Sequence, residues 1–255
     1  MRFSSLGSGS RGNALVVEAG ATRVLLDCGF SLRGTRERLA RLGLEPGDLA
    51  AIVVTHEHGD HLAGVFGLAR RYALPVHLSY GTAVAGARGA PPDPACRIID
   101  AHASLCIGDL EIRPFPVPHD AREPLQFVFS DGRHRLGVLT DAGCLTPHMQ
   151  LMLDACDALV LECNHDARML AESDYPPFLQ RRIAGPLGHL DNATAAALLR
   201  QVDTRRLQHV IAAHLSERNN LPALARSALA AALGCTTEWI GVADQDQGFA
   251  WRSLA

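Results

Sequence analysis

The chain has 255 residues, enough for one α/β domain whose core needs no cross-links. With 24 basic and 27 acidic residues the net charge is −3, which argues against a polybasic arm for nucleic acid or for an anionic membrane while leaving room for a local basic patch. No apolar run approaches the roughly 18 residues of a transmembrane helix, and Met1-Arg2-Phe3-Ser4-Ser5-Leu6-Gly7 lacks the apolar stretch of a secretory signal. Seven scattered cysteines without a CxxC pair read as reduced thiols of a cytoplasmic protein. Every basic residue is Arg, so Schiff-base and lysine-base chemistry are excluded.

The first 27 residues read as β-structure punctuated by turns. Arg2–Leu6 is short and extended, Ser8–Asn13 is a turn cluster, and Ala14–Glu18 and Arg23–Asp27 flank Ala19-Gly20-Ala21 as a hairpin. The spacing of Leu32, Leu39 and Leu42 predicts a helix ending near Gly43. Ala51–Thr55 is a buried strand leading into a polar loop, Ala63–Tyr72 a helix, Val76–Ser79 a strand, and Ala90–Pro94 a loop. Strands follow at Leu110–Val117, Leu125–Ser130 and Arg135–Leu139, then a helix at Pro147–Cys156 with Pro at its start. Ala158–Glu162 is a further buried strand. Pro176–Ile183 and Asn192–Val202 are helical, Gln208–Ala212 is a strand, Leu221–Leu233 a helix, and two short strands lie near Trp239 and Trp251. The order is β-rich, then mixed, then β again. Two sheets between outer helices satisfy it better than a doubly wound fold, because no helices separate the N-terminal hairpin or the strands of 110–139. No linker stands out, so one domain over residues 1–255 is expected.

The strongest chemical signal is Thr55-His56-Glu57-His58-Gly59-Asp60-His61, after a buried strand and before a helix. Three imidazoles and a carboxylate at this density are metal ligands. A tight loop can aim His56 and His58 at one ion and Asp60 and His61 at a second. Further ligands must come from the ends of other strands, and His119, Asp141 and His214 each follow a predicted strand by one or two residues.

These residues resemble the metallo-β-lactamase-fold hydrolases, whose HxHxDH motif is matched at 56–61. The resemblance implies an α/β, four-layer αββα sandwich. It also implies two metal sites: His56, His58 and His119 at the first, Asp60, His61 and His214 at the second, and Asp141 bridging them. The segments Ser8–Asn13, His119–Pro124, Leu139–Gly143, Glu162–Asp166, Arg181–Ile183, Gly188–Asn192 and Ala213–Asn220 are similar to the WalJ/YycJ-like branch. Its members are regarded as nucleases or phosphodiesterases, with a 5′-to-3′ exonuclease role in DNA metabolism proposed. Glu162, Gly188-His189 and His214-Leu215-Ser216-Glu217-Arg218 also resemble segments of the tRNA 3′-end endonucleases, which pair that Glu with that His to protonate the leaving oxygen. The segment between His119 and Asp141 is too short for the tRNA-gripping arm, and that between Asp141 and His214 is too short for a β-CASP insertion.

The chemistry that follows is phosphodiester hydrolysis. Two cations about 3.5–4 Å apart hold a hydroxide between them and neutralise phosphoryl oxygens. Asp60 is counted with the catalytic groups, His189 oriented by Glu162 supplies the leaving-group proton, and Asn164, His165 and Arg218 are candidates for binding phosphate. His-rich ligation suits Zn, and the carboxylates also suit Mn or Fe. The expected substrate is nucleic acid, DNA above RNA, with no membrane partner; the oligomeric state is left open. Two other readings compete: hydrolysis of a small cyclic phosphodiester such as a phosphoribosyl cyclic phosphate, and a non-catalytic metal-stabilised binding module. An arginine stripe leading away from the metals, among Arg11, Arg122, Arg168, Arg181, Arg182 and Arg218, favours a polymer, and an enclosed pocket favours a small molecule.

Overall fold

Alternation of apolar runs with turn residues makes the N-terminus an antiparallel meander. In the computed structural model, which describes residues 1–87 and 93–255, β1 (Arg2–Gly7), β2 (Ala14–Ala19) and β3 (Thr22–Leu26) pair in chain order. After β3 the connections carry helices and the pairing turns parallel, adding β4 (Ala51–Val53), β5 (Val76–Leu78) and β6 (Cys96–Ile98). A second sheet repeats the pattern. β7 (Leu105–Ile107), β8 (Leu110–Pro116), β9 (Leu125–Ser130) and β10 (Arg135–Leu139) are antiparallel, and β11 (Ala158–Glu162), β12 (His209–Ala213) and β13 (Gly241–Val242) are then added in parallel. β14 (Phe249–Ser253) returns to pair with β1, so each sheet has seven strands.

Burial divides into three apolar layers. α1 (Leu32–Arg41), α2 (Gly59–Leu62), α3 (Val65–Tyr72) and α4 (Tyr80–Gly86) lie on the first sheet's side, where Leu39 and Leu68 pack with Leu25, Ile52 and Val76. Phe3, Phe127, Phe129, Leu136 and Ile211 fill the space between the sheets. α5 (Pro147–Leu153), α8 (Asn192–Leu199) and α9 (Pro222–Leu233) cover the second sheet through Met149, Leu198 and Leu229. α6 (Ala167–Ala171) and α7 (Pro177–Ile183) stand in the connection after β11. This is the αββα sandwich expected from the sequence.

About half of the expected boundaries coincide with the observed ones, and the others differ by one to three residues. The strand expected over Ala51–Thr55 ends at Val53, because the Thr55 N–H turns away to donate to Asp27 Oδ1 (2.8 Å). α4, α6, β6 and β7 have no counterpart in the sequence reading; all are short, and β6 and β7 are half-buried or exposed edge strands, unlike the equally short but buried β4 and β5. Of the loop expected over Ala90–Pro94, residues 90–92 lie outside the described residues, and Asp93 and Pro94 belong to no helix or strand.

Strand direction decides where the chemistry collects. β8 and β10 flank the antiparallel β9, so they run the same way, and β11 and β12 run parallel to β10. The C-terminal ends of these strands therefore share one rim, the usual ligand edge of such sheets. Close backbone packing fixes the loops there: a Cβ on Gly143 would lie 2.4 Å from the Pro186 carbonyl and from the Gly188 nitrogen. Gly143→Ala should therefore cost about 1–3 kcal/mol through overpacking, read as a lower urea midpoint. Gly47→Ala, where a Cβ meets nothing within 4 Å, should leave the midpoint in place. Equal stability of the two variants would contradict this packing.

Candidate metal centre

The motif loop is held by a buried carboxylate that the sequence reading did not single out. Asp27, at the end of β3, has φ 60° and accepts from the Thr55 N–H (2.8 Å), the Thr55 hydroxyl (2.9 Å) and His61 Nδ1–H (2.8 Å). Because Thr55 Oγ1 donates to Asp27, it is free to accept from His56 Nδ1–H (2.9 Å). His119 Nδ1–H donates to the Gly188 carbonyl (2.9 Å), and His214 Nδ1–H to Glu162 Oε1 (3.1 Å). In each case an outer partner occupies Nδ1 and leaves Nε2 facing inward, the arrangement by which a protein fixes the tautomer of a metal ligand.

The inward atoms form overlapping sets, each with all donor atoms within 4.8 Å: His56, His58 and His119; Asp60, His61 and His214; and His56, His61 and Asp141. His58 Nδ1 lies 3.3 Å from His119 Nε2. Asp60 Oδ2 lies 3.4 Å from both His61 Nε2 and His214 Nε2. Asp141 lies between the two groups, with Oδ2 3.1 Å from His61 Nε2 and Oδ1 4.0 Å from His119 Nε2. His56 Nε2 and Asp141 Oδ2 are buried without a hydrogen-bond partner. Orphaned lone pairs converging on one space are costly unless a cation fills it, so nitrogen and oxygen donors of this kind fit divalent metal ions. A fourth set, Asp141, Glu162, His189 and His214, also falls within 4.8 Å. Glu162 there is already engaged: Oε2 accepts from the Ala142 and Leu190 N–H groups (both 3.0 Å), and Oε1 from His189 Nδ1–H (2.8 Å) as well as His214.

Asp141 and His214, at φ 51° and 53°, join Asp27 in the left-handed region. Three such non-glycine residues at strand ends are strain of the kind that collects at functional sites, about 1–3 kcal/mol each. Burial opposes ionisation of Asp141, yet the imidazoles of His214 and His61 hold its carboxyl well below the usual range. Burial likewise opposes the imidazolium of His214, and Asp141, Asp60 and Glu162 outweigh it and raise the group to about 10. Glu162 is brought down to about 2, because His189 and His214 overcome its burial. His56 is pushed down by burial and by His61.

A cavity of about 340 Å³ opens over these groups, lined by His58, Asp60, Asp141, His189 and His214, with Asp120 and Arg182 paired at 2.6 Å beside them. The structure thus brings together His56, His58, Asp60, His61, His119, Asp141, Glu162, His189 and His214. It places the three phosphate-binding candidates differently. Asn164 is buried and donates to the His214 carbonyl (3.1 Å), His165 is buried with Nδ1 unpaired, and Arg218 is exposed over the Tyr175 ring (4.9 Å). None of the three lines the cavity. The Ser8–Asn13 turn supports the centre from the first sheet: Ser8 Oγ accepts from the His214 N–H (2.9 Å), and Asn13 Nδ2 lies 3.3 Å from Asp60 Oδ2. Its Ser-Gly-Ser-Arg-Gly-Asn pattern was the available signal, and the carboxylate of Asp27 had none beyond its place at a strand end. Of the six arginines considered as a stripe, Arg182 alone lines the cavity; Arg11 is paired with Glu217 and Asp246, and Arg168 with Glu172.

Residues 22–210 match the sequence model of the beta-lactamase superfamily domain. The chain is 36% identical over 235 residues to exodeoxyribonuclease YycJ of Bacillus anthracis, covering 91% of this chain and 89% of that protein. It is 31% identical over 245 residues to exodeoxyribonuclease WalJ of Streptococcus pneumoniae, covering 94% and 91%. Among solved structures, the metallo-beta-lactamase fold protein YhfI of Bacillus subtilis is similar at TM-score 0.73 and 14% identity over 99% of each chain. The short form of human tRNase Z is similar at TM-score 0.68 and 18% identity over the full length of both.

The carboxylates around them raise His61 and His214 above the ordinary histidine value, so a cation bound at these two imidazoles must displace protons. Zn²⁺ added to metal-free protein at pH 8 should release protons, His214 among the donors, seen by calorimetry as a binding enthalpy that varies with the ionisation enthalpy of the buffer; a buffer-independent enthalpy would contradict this. The stability sign follows from the raised value of His214. Its contribution to the metal-free fold is complete below about pH 6.5, the ordinary histidine value, and is lost as pH rises through about 10.

Proposed function

The chain belongs to the beta-lactamase superfamily, in the branch of the YycJ and WalJ exodeoxyribonucleases, and from that membership we propose that it is a metal-dependent phosphodiesterase that removes nucleotides from the ends of DNA, with residues 1–255 working as one hydrolase domain. The observation that carries the reading is the pair of ligand sets, His56, His58 and His119 beside Asp60, His61 and His214, with Asp141 3.1 Å from His61 Nε2 and 4.0 Å from His119 Nε2, under an open cavity whose wall holds His189 bonded to Glu162. Among the described residues no helix is long and apolar enough to cross a membrane; the seven cysteines are free, which accords with a cytoplasmic site of action.

His56, His58 and His119 would hold one divalent ion, Asp60, His61 and His214 a second, and Asp141 would touch both. Zinc suits this imidazole-rich set. Bound there, such ions supply positive charge against phosphoryl oxygens and a nucleophile at neutral pH. The chain's own residues do the rest. Asp27, Thr55, the Gly188 carbonyl and Glu162 hold four imidazoles with Nε2 inward. Glu162 accepts from His189 Nδ1–H, which sets His189 Nε2 as the atom that gives a proton to the leaving alkoxide. Burial works against the charged form of His189, and Glu162 with Asp141 overcomes it, raising the group above its ordinary value so that an acid is present near neutral pH.

The leaving group separates this role from metal binding. On end-labelled DNA, His189→Ala should lose about 10²–10⁴ in kcat/KM and keep its metal. On bis(p-nitrophenyl) phosphate, whose leaving group needs no proton, most activity should remain. Glu162→Gln should behave differently, because Glu162 also holds His214: it should lose activity on both substrates together with part of its metal. Equal losses of His189→Ala on both substrates at full metal content would contradict the proton-donor role.

A further inference from the structure

The stretch leading to His189 is built unlike the rest of the fold. From Asp174 through Leu187 every residue is exposed or half-buried, and α7 has no buried residue. Most helices are held by an apolar face. α7 is held by polar ties instead: Gln180 Nε2 donates to the Ser173 carbonyl (3.1 Å), Arg182 Nε to Asp120 Oδ2 (2.6 Å), and the His189 N–H to the Ile183 carbonyl (2.9 Å). A helix that adds nothing to the core yet walls the metal cavity through Arg182 and Ile183 is placed to meet what enters that cavity.

Two of its side chains carry the chemistry a nucleic-acid strand needs. Phe178 and Arg182 are four residues apart and share a helix face. Phe178 is 66% exposed, and Leu187, one residue from the cavity-lining Gly188, is 52% exposed. The contact of Arg182 with Asp120 uses Nε and leaves both Nη groups for a phosphate. Arg181 beside it is exposed, and Asp120, the acid nearest Arg182, is already paired with it. A ring beside a guanidinium is how single strands are gripped, by stacking on a base and by charge on the backbone.

We propose that α7 guides the strand end into the cavity: Arg182 binds the phosphate next to the one being cut, and Phe178 stacks on the unpaired base of the same nucleotide. The inference rests on the nuclease reading above and adds the form of its substrate, a strand end with its terminal base unpaired, since a base inside a duplex has no free face for Phe178.

The test uses the metal-loaded full chain on two end-labelled single-stranded oligonucleotides, one intact and one abasic at its terminal nucleotide, with bis(p-nitrophenyl) phosphate as a third substrate. The wild type should prefer the intact end by about tenfold in kcat/KM, the worth of one base stack. Phe178→Ala should abolish the preference through KM, and Phe178→Trp should restore it. Trp239→Ala, an exposed ring beside the N-terminal end of β12 and away from the cavity rim, should retain it. Arg182→Ala should weaken binding of both oligonucleotides and lower the salt slope by about one. DNA cleavage by the wild type with the preference intact in Phe178→Ala overturns this inference alone. Hydrolysis of the ester but of neither oligonucleotide overturns the nuclease reading, and this inference with it.

Discussion

An ionised carboxylate buried at the junction of two sheets is the constraint around which the centre is arranged. Asp141 is 2% exposed and faces imidazole nitrogens of His61, His189 and His214 at 3.1–3.4 Å. Burying an anion costs several kcal/mol unless positive charge compensates it, and in the metal-free protein protons on the imidazoles provide that charge. Divalent ions held there would supply it and would also satisfy His56 Nε2, which is buried without a hydrogen-bond partner. The strained backbone of Asp141, His214 and Asp27 belongs to the same arrangement: each turns sharply at a strand end so that its carboxylate or imidazole enters the rim.

The two sheets contribute unequally. The first supplies the compact motif loop and the residues that brace it, Asp27, Thr55, Asn13 and Ser8. The second supplies single residues from the ends of separate strands, His119, Asp141, Glu162 and His214. Glu162 knits these together, since one carboxylate orients both His189 and His214 and anchors two backbone N–H groups. The proton-donor candidate and a metal-ligand candidate thus hang on the same group, so the two functions are mechanically linked. Above them α7 is free of core duties and lines the cavity through Arg182 and Ile183.

The sequence revealed the parts of the site that are local or placed by a regular element. His56 to His61 were legible because three histidines and an aspartate crowd into one loop, and His119, Asp141 and His214 because each follows an apolar strand. The pairing of Glu162 with His189 was legible through family resemblance, and the structure brings them to 2.8 Å. Asp27 and Thr55 were not legible, since their roles depend on distances across the sheet that no spacing encodes. Asn164 and His165 were assigned to phosphate because of their company in the chain, but the fold turns Asn164 inward onto the His214 carbonyl and buries His165. The architecture was readable from the order of long elements. The edge strands β6 and β7 are half-buried or exposed and gave no core signal, unlike β4 and β5, which are as short but buried.

The account depends on Asp141 serving two ions at once, and metal content tests that most directly. After loading with excess Zn²⁺ and removal of unbound metal, elemental analysis should find about two ions per wild-type chain, and Asp141→Ala should have lost metal from both positions. His214→Ala, which touches only one ligand set, should keep about one. A wild type that binds one ion or fewer, or an Asp141→Ala protein that still binds two, would contradict the shared-carboxylate centre.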